Sequence, residues 1–322
     1  MATEQKPLSS GFGPLTTAAE IVEGVELRGK VAVVTGGHGG IGLETTRALA
    51  KAHAAVVVGA RDLAKAGQNL AGIANVRILA LDLTDPGSID RFADEVLSAH
   101  GALDLLINNA GIMATPELRD RRNYELQFAT NHLGHFQLTL RLREALKKAG
   151  GARVVNLTSA GHRFAGVDLD DPNFLRRPYD KWKAYGQSKT ANSLFTVELD
   201  RRAAAEGMRA FAVHPGRIVD TDLIRSLTEE DMKAMGVTRE NGVVKSAVAL
   251  KNVQQGAATT LWCALSPRLD GKGGVYCADC DIAEIVPDDS QSGTGVRRWA
   301  IDPEKARALW TLSETLVSRT WG

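Results

Sequence analysis

Three cysteines, Cys263, Cys277 and Cys280, are all that 322 residues contain. That is too few, and too unevenly spread, for a disulfide framework. Cys277-Ala278-Asp279-Cys280 has the spacing of half a zinc or redox site, but no second pair follows to complete a tetrahedral shell. The segment reads as the end of a strand, and no metal site is expected. Neither sign of charge is in excess. Lys plus Arg number 39 against 38 Asp plus Glu, which removes the electrostatic case for nucleic acid or an anionic membrane and leaves a small molecule as the partner. No run of about 18 apolar residues that could span a bilayer occurs, and Met1 to Gly24 has too little apolar continuity for a signal peptide. A soluble, cytoplasmic protein with reduced thiols is expected. Neither a repeat nor a break in composition divides the chain.

What is present is an alternation of short β-branched runs with helical patterns. Lys30 to Thr35, Ala54 to Ala60, Val76 to Leu81, Leu103 to Ile107, Arg153 to Leu157, Met208 to Val213 and Gly274 to Cys277 read as strands. Helices are expected after the first glycine turn, from Pro86, over Tyr124 to Lys148, from the Tyr185 region to about Glu206, around Gln255 to Leu265, and from Pro303. This order implies an α/β fold, one doubly wound parallel sheet in a single domain. Residues 1–29 read as an arm over the surface, 30–285 as the sheet domain with a lid at about 217–253, and 286–322 as a tail packing on the same domain.

The first strand ends in Gly36-Gly37-His38-Gly39-Gly40-Ile41-Gly42 and passes into a helix. Strand, glycine turn and helix is the order a dinucleotide site requires, because a side chain there would keep the backbone from a pyrophosphate and the helix N-terminus offers unpaired N–H groups. The second strand ends at Ala60 and Arg61, where such a unit inspects the adenosine ribose. With no carboxylate at Ala60 to repel a 2′-phosphate, Arg61 favours NADP(H), and NAD(H) is the alternative that Asp62 next to it would support. Asp82 follows the third strand, where it either caps the neighbouring helix or accepts from an adenine amine. Asn108-Asn109-Ala110-Gly111 follows the fourth, at the sheet edge where open α/β proteins bind ligands.

Tyr185 and Lys189 lie four residues apart in a helical pattern, so both side chains leave one face. An ammonium beside a phenol favours phenolate and is expected to lower its pKa toward the range useful for proton exchange. Asn131, an amide in mid-helix near a glycine, is an odd choice for stability alone. The fifth strand delivers Thr158 and Ser159 to its carboxyl end.

Taken in order, Thr35-Gly36-x-x-x-Gly40-Ile41-Gly42, Asn108-Asn109-Ala110-Gly111, Asn131, Ser159, Tyr185-x-x-x-Lys189 and Pro215-Gly216 resemble the short-chain dehydrogenase/reductase family over about residues 28–280. Asn131-His-Leu-Gly-His-Phe136, Asn192, Leu194-Phe195 and His214-Pro-Gly216 are similar to its retinol dehydrogenase and WW-domain-containing oxidoreductase branch, without a WW domain. The resemblance implies a Rossmann fold and an enzyme that interconverts an alcohol and its ketone or aldehyde by hydride transfer. It implies Tyr185 as general acid/base, Lys189 on the nicotinamide ribose, Ser159 on the substrate oxygen, and Asn131 holding a water that links Lys189 to solvent. Cofactor contacts are implied for Gly36, His38, Gly40, Ile41, Gly42, Arg61, Asp82, Leu83, Asn109, Ala110, Gly111, Tyr185, Lys189, Pro215, Gly216 and Ile218. Ser159 precedes Tyr185 by 26 residues, longer than usual in the family, and the inserted loop 161–181 with Tyr179 and Trp182 is expected to line the pocket. Apolar lid and tail residues point to a lipophilic small molecule. A reductase of a carbon–carbon double bond and a non-catalytic dinucleotide-binding protein are the alternatives, and the two long helices that pair in many relatives make a homo-oligomer a further one.

Overall fold

The computed structural model describes residues 3–240, 243–246, 249–290 and 294–321. Residues 1, 2, 241, 242, 247, 248, 291–293 and 322, which belong to the expected arm, lid and tail, lie outside the described residues.

Seven parallel strands and one antiparallel edge strand form the sheet. They are β1 (Val31–Thr35), β2 (Ala55–Ala60), β3 (Val76–Ala80), β4 (Leu105–Asn108), β5 (Arg153–Leu157), β6 (Arg209–His214), β7 (Val275–Ala278) and β8 (Asp281–Ile282). Their spatial order is β8-β7-β6-β5-β4-β1-β2-β3. The inner strands are buried and largely apolar because helices cover both faces, and the buried amide of Asn108 donates to that of Asn156 across β4 and β5. The order reverses at β1, which pairs with β2 on one side and β4 on the other. A crevice opens there at the carboxyl ends of the strands.

The crossover helices are α1 (Gly40–Lys51), α2 (Leu63–Leu70), α3 (Pro86–Ala99), α4 (Gly134–Lys148), α5 (Lys181–Ala203) and α6 (Val253–Leu265), and a further helix, α7 (Pro303–Val317), follows the last strand of the sheet. Their starts are written locally: Asp62, Asp85, Asp180, Asn252 and Asp302 each cap a first turn, and Pro occupies the first position of α3 and α7.

One expected element differs. The helix expected over Tyr124 to Lys148 runs without a break from Leu126, but a π-helical turn (Ala129–Leu133) lies between its first α turn (Leu126–Phe128) and α4. In the widened turn Gly134 donates its N–H to Ala129, five residues back. Gly134 is required next to it, since a Cβ would lie 2.4 Å from the Leu83 carbonyl oxygen.

The expected arm is stitched to the sheet edge. Gln5 exchanges hydrogen bonds with the Tyr276 backbone, and Asp281 accepts from Leu8 and Ser10 N–H. Cys277 in β7 and Cys280 in the β7–β8 turn are buried free thiols, and Asp279 and Cys280 take positive φ in that turn. Helix α7 lies across α4 and α5: Trp310 packs its ring 4.9 Å from Phe136 and 5.9 Å from Phe195, with the Arg202 guanidinium 4.6 Å from its centre.

Candidate active site

A groove of about 380 Å³ follows the crevice beside β1. Gly36, His38, Gly40, Ile41, Gly42, Arg61, Asp82, Leu83, Asn109, Ala110 and Gly111 all line it. The glycines let the helix start pack close against the turn: a Cβ on Gly42 would meet the Gly36 carbonyl oxygen at 2.4 Å and Asn109 Nδ2 at 2.5 Å, and the turn presents the N-terminus of α1 to the groove. These residues therefore fit a dinucleotide. Asp82 settles into a turn, its Oδ1 accepting from Thr84 N–H at 2.9 Å and Thr84 O–H at 2.7 Å. Asp62 accepts from Lys65 N–H at 2.9 Å, so its carboxylate caps α2. Arg61 is exposed.

The far wall is built by Thr221, Asp222, Leu223 and Arg225 of the expected lid, which the sequence did not single out. Pro215 and Gly216 follow β6, and the Ile218 side chain packs over Gly256 on α6. Lys65 reaches across the groove to Asp222 at 2.5 Å.

Tyr185, Lys189, Ser159 and Asn131 converge beyond the Gly111 end of the groove. A Cβ on Gly111 would stand 3.2 Å from Asn131 Oδ1 and 3.5 Å from Lys189 Nζ. Lys189 Nζ donates to Leu157 O at 3.0 Å and lies 5.8 Å from the centre of the Tyr185 ring. Two glycines bring Ser159 to the phenol. The turn Ala160–Phe164 lies directly on α5, since a Cβ on Gly161 would be 2.7 Å from Tyr185 Cε1 and one on Gly186 would be 2.8 Å from the Gly161 carbonyl oxygen.

The pKa expectation for Tyr185 does not hold in this environment. Burial pushes the phenol up to about 12, against a hydrogen bond from Ser159 that lowers it, and burial pulls Lys189 down to about 8. Desolvation disfavours both charged forms, and in this buried setting it outweighs the attraction that spacing suggests.

Two histidines invisible as site residues in the sequence hold the Ser159 turn. His214 accepts from Ala160 N–H at Nδ1, 3.2 Å away, and burial lowers its pKa to about 3. His162 donates from Nδ1 to Ser159 O at 2.8 Å and accepts at Nε2 from Arg297 N–H at 3.2 Å. The tail thereby supports the turn that carries Ser159.

Around the phenol the surface is apolar: Met113, Ala114, Trp182, Leu223, Ile224 and Leu227 cluster with Tyr185. Of the two aromatic residues expected in the pocket, Trp182 belongs to this cluster. The Tyr179 hydroxyl is instead held by Thr115 O and Gln127 Nε2, each at 3.0 Å.

A glycine-turn groove at the switch point of a parallel sheet, leading to a phenol–ammonium pair, defines a dinucleotide-dependent oxidoreductase. Residues 30–232 match the profile of the short chain dehydrogenase family. A probable oxidoreductase of Streptomyces lividans is 45% identical over 300 residues, covering 91% of this chain and 99% of the relative. Retinol dehydrogenase 12 of Mus musculus is 37% identical over 89% of each chain, and the WW domain-containing oxidoreductase of Homo sapiens 35% identical over 95% of this chain and 72% of the relative. Among solved structures, an uncharacterized protein from Mycobacterium paratuberculosis matches with a TM-score of 0.73 at 34% identity, over 95% of this chain and 99% of that one. The chain belongs to the short-chain dehydrogenase/reductase family and is an oxidoreductase.

Proposed function

We propose that the protein is an NADP(H)-dependent oxidoreductase that interconverts a lipophilic alcohol and its ketone or aldehyde. The observation that carries this reading is the meeting of Tyr185, Ser159 and Lys189 under the apolar cluster of Met113, Trp182, Leu223, Ile224 and Leu227. A site lined in this way gains from burying hydrocarbon and leaves a polar corner for one oxygen atom. The human and mouse relatives bear the names of an oxidoreductase and a retinol dehydrogenase, which agrees with such a substrate.

Bound nicotinamide supplies or takes up the hydride. The chain's own residues manage the proton and the oxygen. Tyr185, with its phenol pushed up to about 12, holds its proton at neutral pH and stands ready as the acid toward a carbonyl oxygen. Ser159, whose Oγ accepts the Gly161 N–H at 3.0 Å and whose hydroxyl faces the phenol, is assigned to orient that oxygen. Lys189 is assigned to the nicotinamide ribose. Asn131 is assigned to the route by which the proton is replenished. The 2′-phosphate is assigned to Arg61, a reading supported by its exposed guanidinium on the groove wall and by the Asp62 carboxylate beside it being engaged through Oδ1 in capping α2. Three buried free thiols suit a cytoplasmic setting.

A panel of aliphatic, aromatic and isoprenoid alcohols and carbonyls, assayed with NADPH and NADH by absorbance of the reduced nicotinamide, tests the assignment. Turnover of lipophilic carbonyls with NADPH is expected, and Tyr185→Phe should lower it by ~10²–10⁴ while leaving NADPH binding within a few-fold. Reduction of only a conjugated carbon–carbon double bond, or near-normal turnover by Tyr185→Phe, would overturn it.

A further inference from the structure

His135 takes no part in the chemistry above, yet it is 1% exposed and both its ring nitrogens are bonded. Nδ1 lies 2.9 Å from the main-chain oxygen of Asn131, and Nε2 lies 2.9 Å from Oγ1 of Thr35 at the end of β1. A carbonyl only accepts, so Nδ1 carries the proton. Burial and the nearby Lys189 ammonium pull the ring's pKa down to about 4, so it is neutral and Nε2 is a lone pair. The Thr35 hydroxyl must then donate to it. With its hydrogen committed there, Thr35 Oγ1 accepts from the N–H groups of Asn109 at 2.9 Å and Ala110 at 3.0 Å. Asn109 Nδ2 donates back to Thr35 O at 2.8 Å. Every bond in this chain has one direction, and it runs from the wall of the cofactor groove to the backbone of the π-helical turn.

The other polar groups of Asn131 are already occupied. Its Oδ1 accepts from Ile112 N–H at 2.9 Å, and its Nδ2 donates to Ile112 O at 3.0 Å and to Ser188 Oγ at 2.9 Å. Its main-chain oxygen, in the widened turn, is held by the imidazole of His135.

We propose that His135 is a positioning residue that locks the turn carrying Asn131 to the Thr35–Ala110 wall of the groove, so that dinucleotide affinity and the placement of Asn131 are set by one hydrogen-bonded chain. The proposal rests on the reading of Asn131 and the groove given under Proposed function.

The two ends of the imidazole can be tested separately, because an Asn side chain reproduces the Nδ1–H donor and a Gln side chain the Nε2 acceptor. His135→Gln keeps the bond to Thr35 and releases Asn131. It is expected to lower kcat about 5- to 10-fold, the effect of one net hydrogen bond, with a smaller change in the Kd for NADPH. His135→Asn keeps Asn131 and releases Thr35, and the larger loss, again about 5- to 10-fold, should fall on that Kd, read by quenching of protein fluorescence. Thr35→Val should weaken NADPH binding by a similar factor, Thr35→Ser should restore it, and Thr35→Val should add little to His135→Asn in a double-mutant cycle. Equal shifts of Kd and kcat in the Asn and Gln variants, or full additivity of Thr35→Val with His135→Asn, would overturn the proposal. Should the His135 variants fail to fold, the contrast between Thr35→Val and Thr35→Ser still decides it, with equal Kd values counting against it. The NADPH titrations need no turnover. Failure of the catalytic reading, seen as an active Tyr185→Phe enzyme, is therefore distinguishable from failure of this one.

Discussion

Gly161→Ala probes the close approach on which the site depends. The added methyl would sit 2.7 Å from Tyr185 Cε1 and 3.0 Å from Cδ1, with Ser159 Oγ at 3.3 Å. Carbon atoms rest at about 3.5–4.0 Å, so the ring or the turn must retreat by roughly 1 Å. The ring has little room, being 3% exposed and packed against Met113 and Ala114, and the turn is fixed from behind by His162 and His214. A displacement of that size between a proton donor and a reacting oxygen costs about 10²-fold in rate. Overpacking of this kind costs about 1–3 kcal/mol, which for a chain of this length lowers the melting temperature by about 1–5 °C. Gly161 does not line the nucleotide groove, so the Kd for NADPH should stay within a few-fold of wild type. Steady-state kinetics, a thermal melt and a cofactor titration on one preparation give all three numbers. A variant with wild-type kcat and an unchanged melt would refute the idea that the Ser159 turn is pressed against the phenol.

Lys189→Met should abolish turnover and yet raise the melting temperature of the cofactor-free protein at neutral pH, because burial pulls the ammonium down to about 8 from its ordinary 10.5. The sign follows from linkage: between about pH 8 and 10.5 the unfolded chain binds the proton that the folded one has released, so wild-type stability rises across that window. The advantage of the variant should shrink there, and a lower melting temperature at pH 7 would count against the argument. Arg61→Ala should weaken NADPH by roughly 10- to 150-fold and leave NADH nearly untouched, the scale of a hydrogen bond to a charged group. Equal losses for both cofactors, or tighter wild-type binding of NADH, would remove the NADP assignment. Trp310→Ala empties the contact between α7 and the helices beneath it, where the indole meets Phe136, Phe195 and Trp321. Denaturant titration should show a loss of about 3–5 kcal/mol. A loss under 1 kcal/mol would mean that α7 is loosely docked.

The sequence alone determined the parallel sheet, the place of the glycine turn and the family, because each is carried by local order. A β-branched run, a glycine turn and a helix start are neighbours in the chain, and so are Tyr185 and Lys189 on their helix face. Even Pro86 and Pro303 announce their helices from single residues at the first turn. Contacts between segments far apart in sequence were decided only by the tertiary structure. The i,i+4 spacing of Tyr185 and Lys189 predicts a lowered phenol pKa, but burial, which no spacing encodes, drives it the other way. His135 looks like a core histidine until the fold brings it to Thr35, a hundred residues away. The π-helical turn carries an ordinary helical pattern, and its widening becomes legible only beside Leu83 and Ile112, which meet Gly134 and Asn131 across the crevice. Local periodicity records which face of an element is buried. It does not record what that face meets, and in this protein the proton chemistry and the grip on the cofactor depend on what meets what.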